Sequence, residues 1–162
     1  MSREKIVRTV AGRLSLREPQ SVSLERLHNA LESVPALRDS QARSAEELAA
    51  MQAALHAEFP TLTDFERDFP SLCFALATGV GKTRLMGAFI SYLHAAYGYK
   101  HFFVLAPNLT IYDKLIRDFS DTTGPKYVFK GIADFAIEAP EVITGETYEQ
   151  KGDLVSQAID AP

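Results

Sequence analysis

Leu72-Cys73-Phe74-Ala75-Leu76-Ala77-Thr78-Gly79-Val80-Gly81-Lys82-Thr83 is the stretch on which the reading of this chain turns. Residues 72–77 form a short apolar run, the pattern of a buried strand. After Thr83, Leu85, Met86, Phe89, Ile90 and Leu93 recur at helical spacing up to Tyr97, and Gly98 stands where a helix takes a left-handed cap. Strand, glycine-bearing turn, Lys-Thr and helix make the layout of a phosphate-binding loop. The glycines let backbone N–H groups curl around phosphate oxygens, and the helix N-terminus adds the positive end of its dipole. In this reading Lys82 reaches the β- and γ-phosphates and the Thr83 hydroxyl holds Mg²⁺. Lys82 and Thr83 are thus the candidate catalytic pair. Thr78, Gly79, Val80, Gly81, Lys82, Thr83 and Arg84 are the candidate ATP-binding set. The strict pattern places a glycine five residues before Gly81, where this chain has Leu76. The competing reading is an ordinary strand-to-helix turn carrying a solvated lysine.

The totals set bounds on that reading. With 162 residues and 46% hydrophobic composition, one domain with a real core is expected. A net charge of −4 argues against general coating of polyanions while leaving room for a local basic face. Arg3, Lys5, Arg8, Arg13 and Arg17 stand against Glu4 at the N-terminus, which reads as a solvated basic arm. Cys73 is the only cysteine, so no disulfide framework or zinc knuckle is available, and inside a strand it reads as a buried small hydrophobe. The four histidines are scattered without metal-ligand spacing. No apolar run approaches a membrane span and no signal-peptide core opens the chain, so a cytoplasmic protein without membrane partners is expected.

Along the chain, a strand or helical turn is expected at Ile6–Val10. A helix follows over Gln20–Val34 with Leu24, Leu27, Leu31 and Val34 on one face, ended by Pro35. Arg38–Arg43 reads as a polar loop. Ser44-Ala45-Glu46-Glu47 has the form of a capping box, opening a helix that turns Leu48, Met51, Leu55 and Phe59 inward. A helical turn is expected around Thr63–Phe69. Beyond the loop helix, residues 101–106 read as a second strand and Thr110–Phe119 as a helix. Tyr127–Phe129 and Glu141–Thr144 read as two more strands. Strands alternating with helices indicate an α/β fold with a mainly parallel sheet flanked by helices. Residues 1–60 would be a basic, helical N-terminal extension, and residues 61–162 an incomplete nucleotide-binding domain. The last dozen residues are expected to be a helix fragment or a frayed end.

Residues 74–83 resemble motif I of superfamily 2 helicases, most closely the DEAD/DEAH-like branch that holds the Res subunits of type III restriction enzymes. In that branch an apolar residue often stands where Leu76 stands. Val104-Leu105-Ala106-Pro107-Asn108 is similar to motif Ia, which touches the nucleic-acid backbone. Leu16-Arg17-Glu18-Pro19-Gln20 resembles the upstream segment whose glutamine reads adenine. Val142-Ile143-Thr144-Gly145 has a weaker likeness to motif Ib. The likeness covers roughly residues 14–148. It implies a RecA-like P-loop NTPase domain, ATP and Mg²⁺ as cofactors, and Gln20 at the base. It also implies a DNA or RNA contact at Pro107, Asn108 and Thr144, and a second RecA-like domain in the full-length chain. Asn108 has an alternative role as the cap of the following helix.

Phosphate-loop ATPases also use an acidic motif, and this sequence contains no Asp-Glu dipeptide; Ala158-Ile159-Asp160 is the nearest candidate. Arg117, on an expected helix, reads as a surface residue rather than an arginine finger. The expectation is therefore an ATP-binding N-terminal fragment of a DNA-dependent ATPase, a helicase or translocase of the type III restriction Res type. On its own it would bind nucleotide without useful hydrolysis. Two alternatives stand beside it: a small phosphate-loop kinase, and a non-catalytic helicase-core interaction module.

Overall fold

The computed structural model describes residues 1–39, 41 and 43–152. Five helices follow from local signals. The Ser2 hydroxyl accepts from the Lys5 amide and opens α1 (Arg3–Arg13). Ile6, Val7 and Val10 of α1 are buried while Arg3, Lys5, Arg8 and Arg13 stay exposed. The expected basic arm is therefore an amphipathic helix packed on the core. Pro19 lies in the first turn of α2 (Glu18–Ser33), where its missing N–H costs nothing. α3 (Ala45–Glu58) carries both bonds of its capping box, Glu47 N to Ser44 Oγ at 3.2 Å and Ser44 N to Glu47 Oε2 at 2.8 Å. α4 (Lys82–Tyr97) stops at Gly98, whose φ of +75° is the left-handed cap. α5 (Leu109–Ser120) starts where Asn108 Oδ1 accepts from Ile111 N at 3.0 Å.

α1, α2 and α4 close around one core in which Leu14, Leu24, Leu27, Leu31, Leu85, Ala88 and Tyr92 are buried. Leu24, Ala88 and Tyr92 are fully enclosed. A second cluster joins Ala30 and Val34 to Met51, Leu55 and Phe65. The third sets Phe119 with Tyr127, Val128 and Phe129. Gly87 lets this third cluster sit on α4. A Cβ there would come within 2.8 Å of Val128 Cβ and 3.0 Å of the Val128 carbonyl.

A polar chain crosses the first core. The Tyr92 hydroxyl meets His28 Nδ1 at 2.7 Å and the Tyr97 hydroxyl at 3.2 Å. Tyr97 in turn donates to Glu32 Oε1 at 2.8 Å, with the Arg3 guanidinium over its ring at 4.7 Å. Burial pushes the Tyr92 phenol far above its ordinary range.

The sheet expected from the sequence is absent. Among the described residues there is no strand; the molecule is helical, and the α/β fold with a mainly parallel sheet does not form. With it goes the RecA-like domain expected from the resemblance. A strand exists only where a neighbour takes up its N–H and C=O groups. Among the described residues neither 72–77 nor 101–106 makes a backbone–backbone hydrogen bond. Residues 72–77 keep the alternation of an extended chain, with Leu72, Phe74 and Leu76 half-buried against the first core. Cys73, on the opposite side, is exposed rather than buried. Residues 101–106 lack even that one-sided cover: Phe103 is 90% and Leu105 77% exposed.

Tyr127–Phe129 are buried but folded into turns, with Val128 N bonded to the Asp118 carbonyl at 2.9 Å and Tyr127 N to the Gly124 carbonyl at 3.2 Å. Tyr127 N, Val128 N and the Phe129 carbonyl, which accepts from Ile132 N at 2.9 Å, bond to turns and to the end of α5 rather than to a neighbouring strand, so apolar composition alone did not make a strand. Residues 141–144 are irregular, and 66–69 are bends rather than a helical turn. Ala158-Ile159-Asp160, and most of the expected C-terminal helix fragment, lie outside the described residues. Among the described residues no helix is long and apolar enough to cross a membrane.

Candidate phosphate-binding site

Two left-handed glycines shape the loop before α4: Gly79 at φ +78° and Gly81 at φ +91°. A side chain is strained in that region, and at Gly81 it also has no room, because a Cβ would lie 2.7 Å from Gln20 Nε2. Gly81 is the N-cap of α4 and, among the described residues, no side chain caps the helix, so its first-turn amides have no side-chain acceptor there. Lys82 is exposed at this mouth and Thr83 half-buried. Unclaimed amides, a helix dipole and a lysine together make a surface that attracts an anion.

The junction between α1 and α2 holds this loop from behind. Gln20, 2% exposed, donates from Nε2 to the Gly81 carbonyl at 2.9 Å and accepts from Arg17 N at 2.8 Å. Arg17 donates to the Gly79 carbonyl at 3.4 Å. Arg84 reaches back from α4 to the Leu14 carbonyl at 2.7 Å. Two of the loop's carbonyls, those of Gly79 and Gly81, are thereby engaged by the α1–α2 junction. Gln20 is brought to the loop across 61 positions of sequence. Its amide is satisfied at both ends by backbone, so in this structure it supports the loop.

Two residues passed over in the sequence complete the site. Lys114 of α5 donates to Thr83 Oγ1 at 3.3 Å and pairs with Asp118 one turn on. Asp118 is 7% exposed, a buried carboxylate whose charge is matched by that ammonium. The Lys-x₃-Asp spacing on an amphipathic helix was the available signal.

The candidate nucleic-acid residues are placed differently. Asn108 caps α5, and Thr144 closes a turn with Thr147, their hydroxyls 3.2 Å apart. Among the described residues no hydrogen bond joins Pro107, Asn108 or Thr144 to the phosphate loop. A cleft of about 560 Å³ lies elsewhere, between α2 and residues 59–75, with Arg26, Phe59, Phe65 and Phe74 in its walls. The loop owes its chemistry to backbone direction rather than to concavity, and a cleft is not where the anion site lies.

ATP phosphates and Mg²⁺ fit the residues present. The left-handed glycines and uncapped helix turn suit phosphate oxygens, and the Thr83 hydroxyl already faces a cation, the Lys114 ammonium. Among the described residues no group of three or more His, Cys, Asp or Glu could hold a metal alone. Magnesium would share Thr83 with phosphate oxygens and water, its usual arrangement.

The model of the family described as "Type III restriction enzyme, res subunit" matches residues 13–159. The "Probable type III restriction-modification enzyme HindVIP Res subunit" of Haemophilus influenzae (strain ATCC 51907 / DSM 11121 / KW20 / Rd) is 39% identical to the chain over 70 residues. That alignment takes in 39% of this chain and 13% of the length of that relative. No solved structure matches the chain.

Proposed function

The chain belongs to the type III restriction enzyme Res subunit family, and on that premise we propose that residues 78–84 bind the phosphates of ATP for a DNA-acting, helicase-like enzyme. The observation that carries this is the loop at Gly79 and Gly81, left-handed at both glycines and opening directly into the uncapped α4. Lys82 supplies positive charge to the terminal phosphates. The amides of the first turn donate to the phosphate oxygens, while the Gly79 and Gly81 carbonyls are already engaged by Arg17 and Gln20. Gln20 serves nucleotide binding through this support. Thr83 is the residue whose hydroxyl would hold Mg²⁺. When bound, magnesium neutralises phosphate charge and fixes the direction of the terminal phosphoryl group.

Pro107 and Asn108, at the N-terminus of α5, are the proposed contact with the DNA backbone, a contact that positions without reading bases. Thr144 is proposed as a further contact, on its likeness to motif Ib alone. Hydrolysis by the chain alone is expected to be slow, since an arginine finger contributes about 10³–10⁵-fold and no residue here is assigned that role. Neither a small kinase nor a non-catalytic module finds support in the family match.

Calorimetric titration with ADP or ATP in magnesium tests the reading. The wild-type chain binds, and Lys82→Ala removes binding while keeping the helical circular dichroism. Equal affinity for wild type and Lys82→Ala would overturn it. Lys82 is exposed, so the substitution leaves the core intact.

A further inference from the structure

Nothing in the phosphate-loop pattern calls for a second lysine, yet α5 delivers one to Thr83. Lys114 Nζ lies 3.3 Å from Thr83 Oγ1 and is ion-paired to Asp118, which is itself buried beside Phe119. The ammonium therefore stands at the hydroxyl that would coordinate magnesium. Two cations cannot share that position at low cost, because like charges a few ångströms apart repel strongly near a protein surface. We propose that Lys114 is a resident cation of the phosphate site: it takes the place of magnesium against the nucleotide phosphates and yields it when magnesium binds.

The inference rests on the phosphate-site reading above and deepens it. Asp118 makes the arrangement workable in both states. It fixes Lys114 one helical turn away, at i and i+4, and gives the ammonium a partner to fall back on when the hydroxyl is claimed. The flexible four-carbon stem of lysine permits that swing, where arginine would bring a larger planar head. The Lys114 side chain is 41% exposed, so its removal leaves no cavity in the core.

The consequence is nucleotide binding with an unusually weak requirement for magnesium. The test titrates ADP into wild type, Lys114→Met, Lys114→Gln and Lys82→Ala, each in EDTA and in excess magnesium chloride, with urea midpoints to confirm the fold. Wild type is expected to lose less than about tenfold in affinity when magnesium is removed, that is, under about 1.4 kcal/mol. Lys114→Met and Lys114→Gln are expected to lose about tenfold more than wild type does in EDTA, and to match or exceed wild type in magnesium, where competition is relieved. Lys82→Ala is expected to fail in both media. If the ratio of affinities with and without magnesium is the same in the Lys114 variants as in wild type, Lys114 is only the partner of Asp118 and the inference is overturned. If wild type binds no ADP in either medium, the phosphate-site reading itself fails and takes this one with it.

Discussion

Replacing Gln20 with alanine probes how the phosphate loop is held. The side chain is 2% exposed and spends both ends on backbone: Nε2 on the Gly81 carbonyl and Oε1 on the Arg17 amide. Truncation removes both bonds, at about 0.5–1.5 kcal/mol each, and leaves a small void behind Gly81. Strands of side-chain volume lost from a buried site add a further cost that depends on collapse, so a total of about 2–4 kcal/mol is expected. For a chain of this length that is a fall in Tm of about 5–15 °C. Urea unfolding followed by circular dichroism measures it, with an unchanged slope showing that the unfolded state is unaffected. Phosphate affinity should fall for ATP and GTP alike, because the loop and not the base has lost its support. Gln20→Glu keeps the acceptor for Arg17 but turns a carboxylate onto the Gly81 carbonyl, and should cost at least as much. A stability loss below about 0.5 kcal/mol, the range of an ordinary surface change, would refute the argument. A loss of ATP binding with GTP untouched would instead assign Gln20 to the adenine.

Two other substitutions test the packing and the polar chain. Gly87→Ala should destabilise by about 1–3 kcal/mol in spite of alanine's helix preference, since its methyl meets the Val128 backbone; a stabilised variant would show that residues 127–129 do not press on α4. Glu32 is held below its ordinary carboxylate range mainly by the Tyr97 hydroxyl, helped by Arg3, His28 and Arg38. Its contribution is therefore complete above that range and lost as pH falls through the lowered value, so Glu32→Gln should flatten the loss of stability between about pH 5 and pH 3. An identical acid limb in urea midpoints for both proteins would contradict this.

Helices were legible in this sequence because their signals are local. Ser44 and Glu47 lie three residues apart, and Leu24, Leu27 and Leu31 share a face whatever else is present. The same holds for Gly98 and for the two loop glycines. Strands were not legible in the same way, since Phe102 to Ala106 have one composition whether or not a neighbour pairs with them. Tyr127–Phe129 show the converse, apolar and buried yet closed by turns. The motif likeness offered Gln20 as a residue for the base, whereas its bond to the Gly81 carbonyl spans 61 positions that no periodicity reports. Lys114 and Asp118 were visible as a helical pair, and invisible as neighbours of Thr83.

The bare segment Phe102-Phe103-Val104-Leu105-Ala106 has a consequence for the protein as a solute. It is irregular and uncharged, holds no proline, and among the described residues its main-chain donors and acceptors are unclaimed by other backbone groups. Those are the conditions under which identical chains stack in register, each lending the next its missing ladder. The charge nearest to it in sequence is Lys100, two residues before Phe102, and Pro107 stands directly after Ala106; both act as gatekeepers of this stretch. Its colloidal stability will depend on concentration and salt more than its helical core suggests, with turbidity arising while the helices are still folded.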